Sequence, residues 1–131
     1  MRAYNLCDAE LGRRLAVLGV PTPEHEILVN LRRDPGITQQ TLAQRCFSAK
    51  SHISVLLVAL EKRKWVRRVA DPADARVKRL YLAAAGERMA LKTAAVQAEV
   101  VAVMAQAMTA QEMAVVGDAM GRVSERLAGL A

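Results

Sequence analysis

The sequence predicts a mainly α-helical fold with one small β-hairpin. Hydrophobic residues make up 53% of the 131 residues, yet the chain has one Trp, one Phe and two Tyr, so the apolar content is mainly Ala, Val, Leu and Met. Most of these residues favour helices. The exception lies between Trp65 and Leu82, where two short stretches with β-branched and aromatic residues flank the turn-forming sequence Asp71-Pro72-Ala73-Asp74. A chain of this length fits one domain with a real core.

Two helices are predicted at the start of the chain. Over residues 4–18, apolar residues recur at every third or fourth position, as on one face of a helix, and Gly19 ends it. Thr22 offers an N-cap for the second helix, and Pro23 suits its first helical position. The sequence Asp34-Pro35-Gly36 stops the second helix. The apolar rows of these two helices are Tyr4, Cys7, Leu11, Leu15, Leu18, Ile27, Leu28 and Leu31.

Two further helices are predicted before the hairpin. Thr38 caps a short third helix that carries Leu42 and Ala43. A break at Phe47-Ser48 separates it from a fourth helix, which runs to about Arg63. The fourth helix has apolar residues at the i, i+3, i+4 and i+7 spacing of a core face. These residues are Ile53, Leu56, Leu57 and Leu60.

The chain is predicted to be helical again after Gly86. Thr109, followed three residues later by Glu112, forms a capping box that opens a last helix. Apolar residues lie on more than one face of this region, and Gly117 and Gly121 stand one turn apart, which lets helix backbones approach closely. A single small domain has too little core to bury so wide an apolar surface. An intertwined dimer is therefore predicted, with a two-helix hairpin folded onto its own domain as the alternative.

The positive charge of the chain is confined to the hairpin region. The net charge of +6 lies entirely between Lys62 and Arg79, where eight basic residues outnumber Asp71 and Asp74. Such a patch attracts a polyanion, most commonly nucleic acid, whereas a solvated hairpin without a partner is the alternative. Four short helices followed by a basic hairpin form a winged helix-turn-helix layout. In that layout the fourth helix lies in the major groove and the hairpin meets the phosphate backbone.

Several other classes of protein lack support in the sequence. No uncharged apolar stretch reaches about 18 residues and no signal segment opens the chain, so a cytoplasmic protein is expected. Cys7 and Cys46 are too few for a disulfide framework. Neither they nor His25 and His52 have metal-ligand spacing, so no metal or other cofactor is expected. No paired carboxylates, nucleophile with a base or phosphate-binding glycine loop can be assembled, so enzymatic activity is not expected.

Four short motifs stand at characteristic separations across roughly residues 22–90. One is a hairpin signature that begins at Asp74-Ala75-Arg76 and ends at Leu82 and Gly86. The other three are Leu42-Ala43-Gln44-Arg45, Lys50-Ser51-His52-Ile53-Ser54 and Leu60-Glu61-Lys62-Arg63. In this combination the chain resembles the MarR family of bacterial winged-helix transcription regulators.

The resemblance implies a homodimer that binds a pseudo-palindromic operator in double-stranded DNA and usually acts as a repressor. It also implies a single MarR-like domain over residues 1–131, with a winged-helix DNA-binding region at 22–86 and a helical dimerisation region at 1–20 and 87–131. Small phenolic or aromatic anions lodged between the two regions often act as ligands in this family. A small-molecule effector is therefore an implied partner.

The family's DNA contacts can be carried over position by position. Polar residues at the start of the fourth helix would contact bases and phosphates in the major groove, and Arg76 would enter the minor groove while paired with Asp74. The other basic residues of the hairpin would contact phosphates without reading sequence. The candidate DNA-binding residues are Lys50, Ser51, His52, Ser54, Arg67, Arg68, Asp74, Arg76, Lys78 and Arg79.

The chain departs from the family pattern on the fourth helix. Val55 stands where an Arg is frequent, and Val58 and Ala59 replace a frequent Asp-Arg pair. Direct base readout should therefore be modest, although Val can touch a thymine methyl. A winged-helix protein-interaction module with weak sequence specificity is one alternative. A thiol-based redox-sensing regulator is another, with Cys7 as its candidate thiol, although the first-helix Cys of peroxide-sensing members lies about two turns further from the second helix.

Overall fold

The computed structural model describes residues 2–130, in which six α-helices and one two-stranded antiparallel sheet follow one another. The elements are α1 (Arg2–Ala16), α2 (Thr22–Arg33), α3 (Gln39–Arg45), α4 (Lys50–Lys62), β1 (Val66–Ala70), β2 (Lys78–Leu82), α5 (Ala84–Ala105) and α6 (Ala110–Ala128). The chain divides into two compact units, Met1–Gln97 and Ala98–Ala131. The predicted class, mainly α-helical with one hairpin, is confirmed, and the element order is that of a winged helix-turn-helix.

The core of the first unit is built from α2, α3, α4 and the hairpin. Most of the apolar residues predicted for these helices are buried, and each enclosed Leu or Ile contributes roughly 1.5–3 kcal/mol. They are Ile27, Leu28, Leu31, Leu42, Ala43, Ile53, Leu57 and Leu60. Val66 and Leu80 close the core from the sheet side. On α1 only Leu15 is fully buried, and Tyr4 is 65% exposed, so the predicted apolar row of α1 packs in the core only at its C-terminal end.

Helix α2 begins one residue earlier than predicted. Thr22 is its first residue, Pro21 occupies the cap position and no side chain caps the helix, so the predicted N-cap at Thr22 is wrong. Pro21 has φ of −62° and ψ of 150°, which is the extended conformation that a cap residue needs. Pro23 removes an N–H group that would have no partner in the first turn.

The turn between α3 and α4 is set by one residue in a left-handed conformation. Thr38 caps α3 as predicted, because its Oγ1 accepts a hydrogen bond from the N–H of Thr41 at 3.2 Å. After α3, Phe47 has φ of 48°, a region that a large side chain rarely adopts. The Phe47 side chain is 98% exposed. The predicted break at Phe47-Ser48 is confirmed, and α4 starts at Lys50.

The hairpin is joined to the helix-turn-helix by backbone hydrogen bonds. Strands β1 and β2 pair along their whole length. The N–H of Gly36 donates to the carbonyl of Leu80 at 2.8 Å, and the N–H of Leu80 donates to the carbonyl of Ile37 at 3.0 Å. Because these residues immediately precede α3, the pairing fixes the position of the hairpin against the helix-turn-helix.

The sequence predicts a helix that begins after Gly86. In the structure, Gly86 lies inside the first turn of α5. Helix α5 begins at Ala84, and the backbone of Trp65 passes directly against Gly86. A Cβ at this position would lie 1.9 Å from the carbonyl oxygen of Trp65, which itself accepts a hydrogen bond from the N–H of Ala83 at 2.8 Å. Only glycine allows α5 to approach so closely the residue that precedes β1.

The second unit contains the end of α5 and all of α6. The predicted capping box is confirmed, since the Thr109 Oγ1 accepts from the Glu112 N–H and the Glu112 carboxylate accepts from the Thr109 N–H, both at 3.1 Å. One face of α6 carries exposed apolar residues at heptad-like spacing, which we call the α6 stripe. The α6 stripe is Met113, Val116, Met120, Val123 and Leu127. Gly117 and Gly121 lie beside it, and a Cβ at either would have no neighbour within 4 Å.

Candidate nucleic-acid interface

The exposed side of α4 lies opposite its buried row. At 100° per residue, the positions farthest from the core form one line along the helix, which we call the outward ridge. The outward ridge is Ser51, Val55, Val58 and Lys62, and all four residues are exposed. Among the predicted DNA-binding residues of this helix, Lys50 and His52 flank the ridge and are exposed, whereas Ser54 is half-buried.

A cleft separates the beginnings of α3 and α4 from the tip of the hairpin. Its volume is about 400 Å³, and the side chains of Lys50, Arg76 and Lys78 all line it. Lys50 belongs to α4, whereas Arg76 and Lys78 belong to the hairpin. The cleft therefore brings together residues that are 26 positions or more apart in sequence. Thr38, Gln39, Gln40 and Val77 complete its lining. Gln39 and Gln40 were not among the predicted residues, although the cap at Thr38 was the signal that places them at the start of α3.

Arg76 and Asp74 form a two-pronged ion pair at the hairpin tip. The Nε and a terminal nitrogen of Arg76 each donate to one carboxylate oxygen at 3.1 Å, and the Arg76 N–H donates to the same carboxylate at 3.0 Å. These hydrogen bonds lower the pKa of Asp74. The Arg76 side chain is nevertheless 90% exposed. Asp74 therefore orients the guanidinium while leaving most of its surface open to a ligand, which is the pairing that the resemblance implies.

Arg79 joins the hairpin to the start of the helix-turn-helix. Its Nε donates to the Asp71 carboxylate at 2.5 Å, and a terminal nitrogen donates to the Gly36 carbonyl at 2.9 Å. Asp71 also accepts from the N–H of Ala73 at 2.8 Å, which closes the turn. The Arg79 guanidinium, followed by the Ala73 N–H, lowers the pKa of Asp71. Arg79 thus has internal partners that fix the hairpin, and its guanidinium is only partly available to a phosphate.

The two arginines of β1 differ in their surroundings. Arg68 pairs with Glu61 at 2.6 Å and donates to the side chain of Gln39 at 3.4 Å, so it ties β1 to both α3 and α4. Arg67 is exposed and lies over the ring of Tyr81, 5.4 Å from its centre. Of these two predicted phosphate contacts, Arg67 is the accessible one and Arg68 mainly supports the fold.

A second cavity of about 290 Å³ lies among α1, α2 and the part of α5 within the first unit. His25 lines it and is only 2% exposed, and its Nδ1 has no hydrogen-bond partner in the described part of the chain. Burial lowers the pKa of His25, and a hydrogen bond with Gln97 partly opposes that shift. Asp8 and Glu26 are the carboxylates of the lining, which contains no Lys or Arg. The cavity therefore offers a neutral imidazole acceptor beside two carboxylates.

The two cysteines occupy different environments. Both are free and half-buried. Burial, with a smaller contribution from Glu26, raises the pKa of Cys46, which lowers the fraction of reactive thiolate there. Cys7 lines the cavity beside His25. Cys7 therefore stays the candidate thiol of the redox alternative.

No single helix within residues 2–130 is long and apolar enough to cross a membrane; α5 and α6 reach that length and composition only as a bent pair. The same residues contain no group of three His, Cys, Asp or Glu side chains arranged to hold a metal ion.

The winged-helix part of the chain is similar to curated transcription regulators. Residues 18–77 match the MarR family. The transcriptional regulator HosA of Escherichia coli O111:H- is 34% identical over 67 residues, which cover 51% of this chain and 50% of HosA. The chain thus spans about half the length of the curated relatives it matches.

Solved structures extend the similarity of the fold to nearly the whole chain. A crystal structure of MarR superposes with a TM-score of 0.82 at 24% identity, covering 94% of this chain and 84% of that one. The PcaV transcriptional regulator from Streptomyces coelicolor, in complex with its natural ligand, superposes with a TM-score of 0.71 at 27% identity, covering 88% and 89% of the two chains. Together with the motifs, these matches show that the winged-helix part of the chain is similar to the MarR family of transcription regulators.

Proposed function

We propose that the protein acts as a homodimer that binds a pseudo-palindromic operator and represses transcription. The observation that carries this proposal is the cleft in which Lys50, Arg76 and Lys78 converge beside an exposed helix face. One cationic surface then runs from the start of α4 to the hairpin tip. A duplex matches this arrangement, because its regularly spaced phosphates flank a groove wide enough for a helix.

In the proposed complex, the outward ridge of α4 enters the major groove. The hairpin then reaches the neighbouring minor groove, where Arg76 inserts with Asp74 as its support. Lys50, Lys78 and Arg67 contact phosphates and position the protein without reading sequence. The two internally paired arginines, Arg68 and Arg79, contribute by holding the hairpin in place.

The proposed dimer uses the α6 stripe. Five exposed apolar side chains at heptad-like spacing form a seam that a second copy of the same helix can cover. A dimer also places two α4 helices on one DNA molecule. Their separation must then match about one helical turn, roughly 34 Å, for both to enter major grooves. A ligand that favours another separation would release the operator.

The test is selection of bound fragments from a random duplex pool, followed by titration at several salt concentrations. We expect a twofold-related consensus, and affinity that falls steeply with salt because several phosphates are neutralised. Arg76→Ala should weaken binding roughly tenfold or more and reduce the salt slope by about 2 in the dimer. Arg13→Ala is the matched control, since Arg13 forms an exposed two-pronged pair with Glu10 at 2.7 and 3.0 Å, far from the cleft in sequence.

Three outcomes would contradict the proposal or favour an alternative. A stable monomer that ignores duplexes at low salt would contradict it outright. Binding without preference among sequences would favour the protein-interaction module. Release from DNA by peroxide that Cys7→Ser abolishes would favour the redox regulator, whereas retained release would exclude Cys7 as the sensor.

The cavity beside His25 supports a second proposal, that a small molecule controls DNA binding. A buried nitrogen without a partner is costly, and a ligand hydroxyl or N–H group that donates to Nδ1 would remove that cost. Because Asp8 and Glu26 line the same cavity, we propose that it takes a neutral donor rather than an anion. This differs from the phenolic and aromatic anions that are frequent in the family.

Phenol and benzoate are suitable probes for this cavity. We expect phenol, but not benzoate, to raise the melting temperature, and Asp8→Asn to improve benzoate binding by removing one repelling charge. His25→Phe should abolish the effect of phenol while the protein stays folded. Stabilisation by benzoate alone would contradict the proposed selectivity.

A further inference from the structure

We infer that Val55 and Val58 read the 5-methyl groups of thymine in the major groove. The inference rests on the proposed function and goes beyond it by naming the base feature that is recognised. It starts from the position of the two valines, which form the middle of the outward ridge of α4, with Ser51 before them and Lys62 after them.

The two valines have no role in the fold that accounts for their identity. Val55 is 68% exposed and Val58 is 40% exposed, so neither belongs to the core. Val also favours helices less than Ala, Lys or Glu, so helix stability does not select it at an exposed position. Two β-branched apolar side chains on consecutive turns of one exposed ridge are therefore free to contact a partner outside the chain.

The surface around the valines indicates which partner that is. The cleft with Lys50, Arg76 and Lys78 lies at the N-terminal end of the same helix, and Lys62 stands at the other end. An apolar protein partner would meet basic side chains at both ends of this helix, whereas a DNA duplex places phosphates on both sides of the groove that holds the helix. Within the major groove, the 5-methyl of thymine is the apolar group that a base pair presents. The thymine methyl group is therefore the apolar contact that the groove offers to Val55 and Val58.

The spacing of the valines predicts the arrangement of the thymines. Side chains three positions apart on a helix have Cβ atoms roughly 5–6 Å apart. Successive base pairs are about 3.4 Å apart along a strand. Each half of the operator should therefore contain two thymines, on either strand, separated by one or two base-pair steps.

The experiment removes the methyl groups without changing base pairing. In the selected operator, each thymine of one half-site is replaced by uracil, and the affinity of the wild-type protein is measured. We expect a roughly threefold to tenfold loss at one or two positions and no change at the others. Where such a thymine is replaced by cytosine, 5-methylcytosine should bind more tightly than cytosine by the contribution of the methyl group.

Substitutions assign the methyl contacts to the valines. In Val55→Ala and Val58→Ala, the uracil effect should disappear at one thymine each, because the contact is already lost. Val17→Ala is the matched control, since Val17 is 85% exposed outside α4, and the full uracil effect should persist in it. Ala raises helix propensity, so both α4 variants are expected to fold, which circular dichroism checks.

The outcomes separate this inference from the proposed function. A clear consensus that uracil substitution leaves unaffected would overturn the inference and leave operator binding intact. A uracil effect that persists undiminished in both α4 variants would overturn it as well, because other residues would then read the methyls. Absence of any preferred sequence would instead contradict the proposed function itself.

Discussion

Gly86→Ala tests the close approach between α5 and the start of the hairpin. The added Cβ would lie 1.9 Å from the carbonyl oxygen of Trp65, where real contacts are not shorter than 3.0 Å, so the backbone must move by about 1 Å or more. Overpacking of this kind costs roughly 1–3 kcal/mol. The same movement strains the hydrogen bond from the Ala83 N–H to that carbonyl, worth about 1 kcal/mol.

Helix propensity offsets part of this loss, because Ala is favoured over Gly by up to about 1 kcal/mol. The net loss should be about 1–3 kcal/mol, which corresponds to a melting temperature lower by roughly 4–12 °C. Thermal and urea unfolding at one protein concentration measure it. Gly12→Ala is the control, because its Cβ would meet only the Thr22 Oγ1 at 3.5 Å, so it should be neutral or slightly stabilising. Equal melting temperatures for Gly86→Ala and wild type would refute the reasoning.

Three further predictions concern stability. Phe47→Asn should stabilise the fold by about 0.5–1 kcal/mol, since Asn tolerates the left-handed conformation and the Phe side chain buries almost nothing; a loss of stability in urea would show that the ring packs against a partner. The pKa of His25 lies below its ordinary value of 6.5 in the folded protein. As the pH falls, the unfolded chain therefore binds a proton at this residue before the folded protein does. The free energy of unfolding should then decrease below about pH 6.5, until the folded-state pKa is reached. His25→Gln should remove that dependence between about pH 7.5 and 5.5, and an unchanged slope would assign it elsewhere. Thr109→Ala should cost about 1 kcal/mol of helix stability at α6, seen as a loss of helical circular dichroism on heating, with Ser124→Ala as the neutral control.

Local rules predicted most of the elements. The cap at Thr38 and the capping box of Thr109 and Glu112 depend on residues within one turn of each other, so the sequence alone identifies them. The hairpin was predicted because turn formers separate two short stretches with β-branched and aromatic residues. The prediction of Thr22 as the N-cap was wrong because Pro21 and Thr22 both suit the start of a helix. The backbone of Pro21 is extended, so Pro21 occupies the cap position and Thr22 is the first helical residue.

Long-range packing set the features that the sequence could not show. The pattern at Gly86 reads as a helix boundary, and only the path of Trp65 shows that the glycine is required for contact. The basic patch similarly looked uniform in sequence. Its arginines differ because Arg68 finds Glu61 on another element and Arg79 finds the carbonyl of Gly36, which is 43 residues away.

The hairpin contains both internally paired arginines and the exposed Arg76, and this difference affects the strength of DNA binding. A flexible cationic hairpin would lose side-chain and backbone freedom when it binds, and that entropy would weaken binding. Here Arg79 and Arg68 already fix the hairpin to α3 and α4 through internal partners, so the exposed Arg76 is presented from a rigid support. The cations therefore supply position and affinity, while the outward ridge supplies discrimination. Since that ridge is apolar at its centre, changes at Arg76 should alter the salt slope, whereas changes at Val55 should alter the preferred sequence and leave the salt slope unchanged.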